Sequence, residues 1–145
     1  MKISKNKFLG MLVFLLISSI SISGQYKDAL ISRMSDFRNS VFANVDEGND
    51  FQEKEALRKM EKEWDKELNI VYQKIMKVAD PVTKNKLRNA QRAWIKFRDS
   101  EVEKSYYTNN PNVGSIGVLF SLNTAAKLTE ERAVQLAEMY DALDK

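Results

Sequence analysis

The chain has 145 residues, 43% hydrophobic and 30% charged, which is the balance of an ordinary globular domain. With no His and no Cys it offers no imidazole base, thiol nucleophile, thiolate metal site or disulfide. Its formal charge of +3 is misleading as a sign of nucleic-acid binding. Three of the 23 basic residues, Lys2, Lys5 and Lys7, precede the first apolar run, and the remaining 20 face 20 acidic residues, so no basic field is left to attract phosphate.

The chain opens on those three lysines, continues through the apolar run Phe8 to Ile17, and reaches the small residues Ser18, Ser19, Ser21, Ser23 and Gly24. This three-part pattern predicts a cleaved signal peptide over residues 1–24, cut after Ser23 or Gly24, with Gln25 at or next to the mature N-terminus. An uncleaved anchor needs about 20 continuous apolar residues, and the serines interrupt the run too early. A lipoprotein needs a cysteine to acylate. The expectation is an exported protein, periplasmic or secreted, that meets the membrane only through this segment. Without cysteine it must hold together by packing alone.

Leu30, Met34, Phe37 and Val41 recur at the spacing of one helix face and predict a first helix over residues 27–44. The turn-formers Asp46-Glu47-Gly48-Asn49-Asp50 end it. A long helix is predicted from about Phe51 to Ala79, with Leu57, Met60, Trp64, Leu68, Val71, Ile75 and Val78 as its apolar stripe. Its Glu- and Lys-rich remainder, including Glu55, Glu63 and Glu67, reads as a solvated face. At Asp80-Pro81 the aspartate can cap a following helix and the proline suits its first turn. The alternative is one helix kinked at Pro81.

The next helix carries the apolar residues Leu87, Ala90, Trp94, Phe97 and Val102 and runs to about Tyr106, its face with Leu87 and Ala90 turned inward. Two long helices joined by so short a turn are expected to lie antiparallel. Thr108 to Gly114 is a loop. A short helix from Ser115 to about Lys127 follows, and Thr129 is expected to cap a last helix from Glu130 to Leu143. The fold class is all-α: a small helical bundle built on a long antiparallel αα-hairpin with additional N- and C-terminal helices. By domain, residues 25–50 form an N-terminal helix and loop and residues 51–145 the main helical unit.

Two groups of polar residues stand out. Gln91, Trp94 and Arg98 share a face of the second hairpin helix, and Asn69 and Tyr72 lie beside the stripe of the first. Residues 69 and 91 are equidistant from Asp80, which places Gln91 opposite Asn69 and near Tyr72. Such a set is either a buried network that fixes helix register or a binding pocket built from the same groups. The second group is the loop Asn109 to Gly117, with Asn109, Asn110, Asn112, Gly114 and Ser115. It is either a plain connection or an exposed recognition loop on a rigid base.

An enzyme is not expected. The carboxylate pairs Glu61/Asp65 and Asp99/Glu103 have helical spacing for a metal, yet di-metal bundles use a Glu-x-x-His element, and no His is present. Nothing marks out a Ser or Thr nucleophile with a Lys base. No cofactor, no metal and no nucleic-acid partner are expected.

Glu67-Leu68-Asn69-x-Val71-Tyr72, the run Leu87-Arg88-x-Ala90-Gln91-Arg92-Ala93-Trp94-Ile95-Lys96-Phe97-Arg98-Asp99, then Gly114-Ser115-Ile116 and Leu128-Thr129-Glu130-Glu131-Arg132 appear in this order. Over roughly Leu57 to Leu143 the chain thereby resembles the lysozyme inhibitor LprI N-terminal domain family of exported bacterial proteins. The resemblance implies a secreted or periplasmic helical domain and, for some members, inhibition of lysozyme. It makes Asn69, Tyr72, Gln91, Trp94, Arg98 and Arg132 the family-pattern residues. Where members commonly carry two cysteines, this chain has Val102 and about Thr124, so that staple is missing. The functional expectation is a non-enzymatic binding protein that occludes a lysozyme cleft through the 109–117 loop. The alternative is a cell-envelope structural or interaction protein using the exposed faces of the hairpin.

Overall fold

The structure, a computed structural model, describes residues 24–107 and 114–144. The described residues form four helices and no strand: α1 (Gln25–Phe42), α2 (Asp50–Val78), α3 (Pro81–Tyr107) and α4 (Gly114–Leu143). The expected all-α bundle is what the chain forms.

Gly24, before α1, offers no side-chain cap. Asp141 of α4 takes that role, accepting hydrogen bonds from the backbone N–H groups of Tyr26 and Lys27, both at 2.9 Å. A carboxylate at a helix N-terminus satisfies free donors and meets the favourable end of the dipole. Leu30 and Met34 are buried, and Phe37 packs against the core from its edge. A turn with Gly48 at φ 77° leads into α2, where the Asn49 side chain accepts from the Gln52 N–H at 3.2 Å.

The α2 stripe is buried from Leu57 through Met60, Trp64, Leu68 and Val71 to Ile75. Its last member differs from expectation. Val78 is 48% exposed, because the four-residue step from Ile75 falls on Ala79, which is buried in its place. Asp80 then caps α3: its carboxylate accepts from the N–H groups of Val82 at 2.8 Å and Thr83 at 3.0 Å, and from the Thr83 hydroxyl. These bonds, the Thr83 hydroxyl first, hold the Asp80 carboxyl below its usual range. With Ala79 extended, the chain turns here and does not continue as a kinked helix.

Two expectations are corrected. Gly114 to Leu143 is one helix of 30 residues, not two. Thr129 lies inside it, buried, with its hydroxyl donating to the Ala125 carbonyl at 2.8 Å. A threonine that bonds back one turn needs no cap position, and no Gly or Pro near it forces a break. The second correction concerns α3, whose one buried residue is Leu87. Ala90 is exposed, Phe97 is 52% exposed, and Trp94 is half-buried.

The reason is α4. It packs along α2, α3 and α1, whereas α2 and α3 scarcely approach each other along their backbones. The hairpin is therefore open, and its second arm rests on α4 along an edge. Leu30, Val71, Ile75, Ala133, Leu136 and Ala137 form the most enclosed part of the core, which joins α1, α2 and α4.

Ile75→Ala is expected to cost about 2–5 kcal/mol, the range for emptying a fully buried aliphatic site. Phe97→Ala should stay within about 0.5 kcal/mol, as surface changes do. Urea unfolding of the two variants checks the orientation of α3.

Candidate functional site: the groove between the hairpin helices and the loop end of the bundle

Because α2 and α3 stand apart, a groove of about 420 Å³ opens between them. It is lined by Asn69 and Tyr72 of α2 and by Gln91, Trp94 and Arg98 of α3, five of the six family-pattern residues. The expected juxtaposition is thus present, but in a different form. Asn69 is exposed and donates to the carbonyl of Asp65 on its own helix at 2.8 Å, and to that residue's carboxylate at 3.2 Å. Arg98 pairs with its neighbour Asp99 at 2.8 Å, and its guanidinium lies 5.2 Å from the centre of the Trp94 ring. Gln91 turns to α4, where its side-chain oxygen accepts from Arg132 Nε at 2.9 Å. No Asn69–Gln91 bond joins the hairpin arms; splayed helices leave the two amides to find other partners.

Arg132, the sixth residue, lies in a second hollow between α3 and α4, beside Leu87, Ala90 and Leu136. Burial lowers its guanidinium pKa from the ordinary value, so the Gln91 oxygen and the contact with Gln135 are its compensation. Arg88 and Arg92 also line the groove, one turn apart, and were not singled out by sequence reasoning. Their four-residue spacing, which sets like charges side by side, was the available signal.

A polar cluster on the opposite side of α2 was also missed. Glu67, expected on the solvated face, is only 6% exposed and pairs with Arg33 of α1 at 3.0 Å. Met60, Trp64, Glu67 and Val71 are spaced three and four apart, so Glu67 occupies a stripe position despite its charge. A carboxylate taken out of water needs such a partner. Beside it, burial and then the charge of Glu67 raise the Tyr26 hydroxyl pKa. Tyr26 and Tyr140 meet edge to face at 5.3 Å, and the Lys74 ammonium lies over both rings. One lysine of α2 thereby fastens α1 to α4. Between the same three helices, a hollow of about 240 Å³ is lined by Arg38, Trp64 and Glu130 among others.

The other sequence-derived site is the loop end. Asn109, Asn110 and Asn112 lie outside the described residues. The loop does not reach Gly117 as expected: Gly114 and Ser115 form the first turn of α4, with Gly114 at φ 28°, and Gly117 is buried within that helix. The Ser115 hydroxyl accepts from Lys54 and lies 3.4 Å from the Asp50 carboxylate, so it is tied to the start of α2. Around this end, Phe51 (73%), Tyr107 (63%), Ile116 (51%) and Phe120 (37%) are exposed. Among the described residues no group of three acids is gathered as a metal site requires.

Gln91→Leu is expected to destabilise by about 1–3 kcal/mol, since it leaves the half-buried Arg132 short of a partner. Arg98→Leu, which breaks a neighbour pair and the contact with the Trp94 ring but leaves no buried group unpaired, should cost less, about 0.5–1 kcal/mol. Thermal unfolding separates the two. Glu130 gives a pH test. Burial raises its carboxyl pKa, and Arg38 only partly opposes this. The folded chain then holds that proton more tightly than the unfolded chain, so Glu130 removes stability as pH climbs from the ordinary glutamate value through the folded one. Glu130→Gln should raise the melting temperature at neutral pH, and the gain should vanish below the ordinary glutamate range.

No curated protein and no solved structure matches the chain. The family model described as lysozyme inhibitor LprI matches residues 43–136, well over half of the sequence. That span holds all of α2 and α3, and α4 as far as Leu136, together with the groove, the Arg132–Gln91 link and the loop end. The chain belongs to the lysozyme inhibitor LprI family.

Proposed function

We propose that this protein is exported and inhibits a lysozyme, pressing segment 108–113 and the apolar residues around it against the enzyme's cleft. Family membership over residues 43–136 is the observation that carries this reading. The working groups of such a cleft are two carboxylates a few ångströms apart, and an inhibitor has only to fill the space above them. The asparagine amides of the segment supply donors for those carboxylates. Ser115, held by Lys54 and Asp50, serves as the post from which the segment springs. Phe51, Tyr107, Ile116 and Phe120 supply exposed apolar and aromatic surface, the material from which interface anchors are made.

Export rests on the three-part pattern of residues 1–24. Among the described residues no helix is long and apolar enough to cross a membrane. The N-terminus of α1 lies at the end of the bundle opposite the loop, as the Tyr26–Asp141 bond requires. A second reading, an envelope-interaction protein, is favoured by the outer side of α3, where Val82 and Phe97 are exposed.

The test is a lysis assay with purified protein against several lysozyme types. Replacing Asn109, Asn110, Asn112 and Ser115 with Ala is expected to weaken inhibition at least tenfold with little change in melting temperature. Gly114 stays untouched, since its positive φ makes Ala costly for backbone reasons alone. Full inhibition by the four-site variant moves the contact elsewhere. No inhibition by the unmodified protein hands the function to the second reading.

A further inference from the structure

The groove between α2 and α3 is not needed by an inhibitor that works through the loop end, and its lining calls for a ligand of its own. Arg88 and Arg92 stand one turn apart on α3 and both line it. Among the described residues neither has a hydrogen bond or an ion pair. The other arginines beside α3 are engaged: Arg98 by Asp99 and Arg132 by Gln91. Two like charges at this spacing repel, so the pair is a feature that folding alone disfavours.

Tyr72 of α2 and Trp94 of α3 line the same groove, as does Asn69, whose amide nitrogen is bonded to Asp65 and whose amide oxygen is not. At about 420 Å³ it falls within the roughly 300–1,000 Å³ of small-molecule sites. We propose that this groove binds a carboxylate-bearing sugar, with Arg88 and Arg92 gripping the carboxylate and Tyr72 and Trp94 receiving the ring. The guanidinium fork matches a carboxylate in two parallel hydrogen bonds. Aromatic surface suits the apolar face of a sugar ring, and the Asn69 amide oxygen, an acceptor, suits a hydroxyl or the N–H of an acetamido group.

The lining also discriminates. A free phosphate would use the two arginines and leave the rings and the Asn69 amide oxygen idle. An acidic peptide would extend along the groove toward Asp65, which also lines it. Asp65 is seven residues from Tyr72, roughly 10 Å along the helix at 1.5 Å per residue. A second acid placed there would be repelled, whereas a single carboxylate at the Arg88–Arg92 end is not. The reading stands independently of lysozyme inhibition.

The experiment is a titration of the purified protein with N-acetylmuramic acid, followed by calorimetry and by the Trp indole NMR signals. N-acetylglucosamine, inorganic phosphate and a glutamate-rich peptide are titrated alongside. Saturable binding of the acidic sugar is expected, weakening as salt is added, with the neutral sugar at least tenfold weaker. The R88A/R92A variant should lose at least tenfold in affinity at an unchanged melting temperature, and W94A should lose affinity as well. R88K/R92K, which keeps the charge and loses the fork, should fall between. Absence of saturable binding overturns the proposal, as does equal affinity for the neutral sugar or an unchanged R88A/R92A titration. Phosphate or the peptide binding as tightly as the sugar overturns the choice of ligand. Lysozyme inhibition by R88A/R92A is expected to be unaltered, so failure here and failure of the inhibitor reading are told apart.

Discussion

The close approach of α4 to α2 is the constraint on which the rest of the bundle depends. Ala126, Thr129, Ala133 and Ala137 follow one another at three- and four-residue steps along α4, and all are buried. Small residues on one face let two helices come near enough for the large side chains of the partner to reach past them. Here that partner face carries Met60, Trp64, Leu68, Val71 and Ile75. A chain with no cysteine has no covalent means of fixing this contact, so shape must do it. Enlarging any of the three alanines would push α4 away from α2 and take α1 and α3 with it, since both lean on α4.

The open hairpin follows from that arrangement. With α4 packed along both α2 and α3, the two arms cannot also close on each other, and the side they leave open becomes the groove. Its walls are kept in place from behind. Gln91 holds α3 to α4 through Arg132, and Leu87 anchors the same helix one turn earlier. The family-pattern residues thus fall into two sets. Gln91 and Arg132 tie helices, while Asn69, Tyr72 and Trp94 face the space that those ties preserve.

What could be read from the sequence was local. Apolar spacing located α1 and α2 to within two residues, and Asp80-Pro81 marked the turn because an acid cap and a proline act through their own backbone neighbours. The errors came where distant parts of the chain decide. Thr129 looked like a cap because a hydroxyl before two acids usually is one; it is instead a buried residue in the interior of α4. Phe97 looked like core because its spacing fits, but spacing cannot say that α4, and not α2, would be the neighbour of α3. Glu67 was discounted for its charge, although its stripe position was visible and only the partner, Arg33 on another helix, was not. Of the site, the juxtaposition of residues 69, 72, 91, 94 and 98 followed from their distances to Asp80, whereas their hydrogen-bond partners did not.

The charge balance limits how each surface works. Lys2, Lys5 and Lys7 lie ahead of the first apolar run, and the rest of the chain sets 20 bases against 20 acids, so it offers no long-range field to draw in a charged partner. Steering of that kind mainly speeds association, and what it lacks must be supplied by contacts that slow dissociation. Exposed rings at a rigid helix end are suited to that, since few rotatable bonds are lost when they dock. The groove is the reverse case. Arg88 and Arg92, exposed at the groove and without a partner among the described residues, act over a short range on one carboxylate, for which the net charge of the protein matters little. Residues 25–145, with 20 bases and 20 acids, can therefore hold both surfaces, because each draws on the chemistry of a few neighbours and neither draws on the charge of the whole.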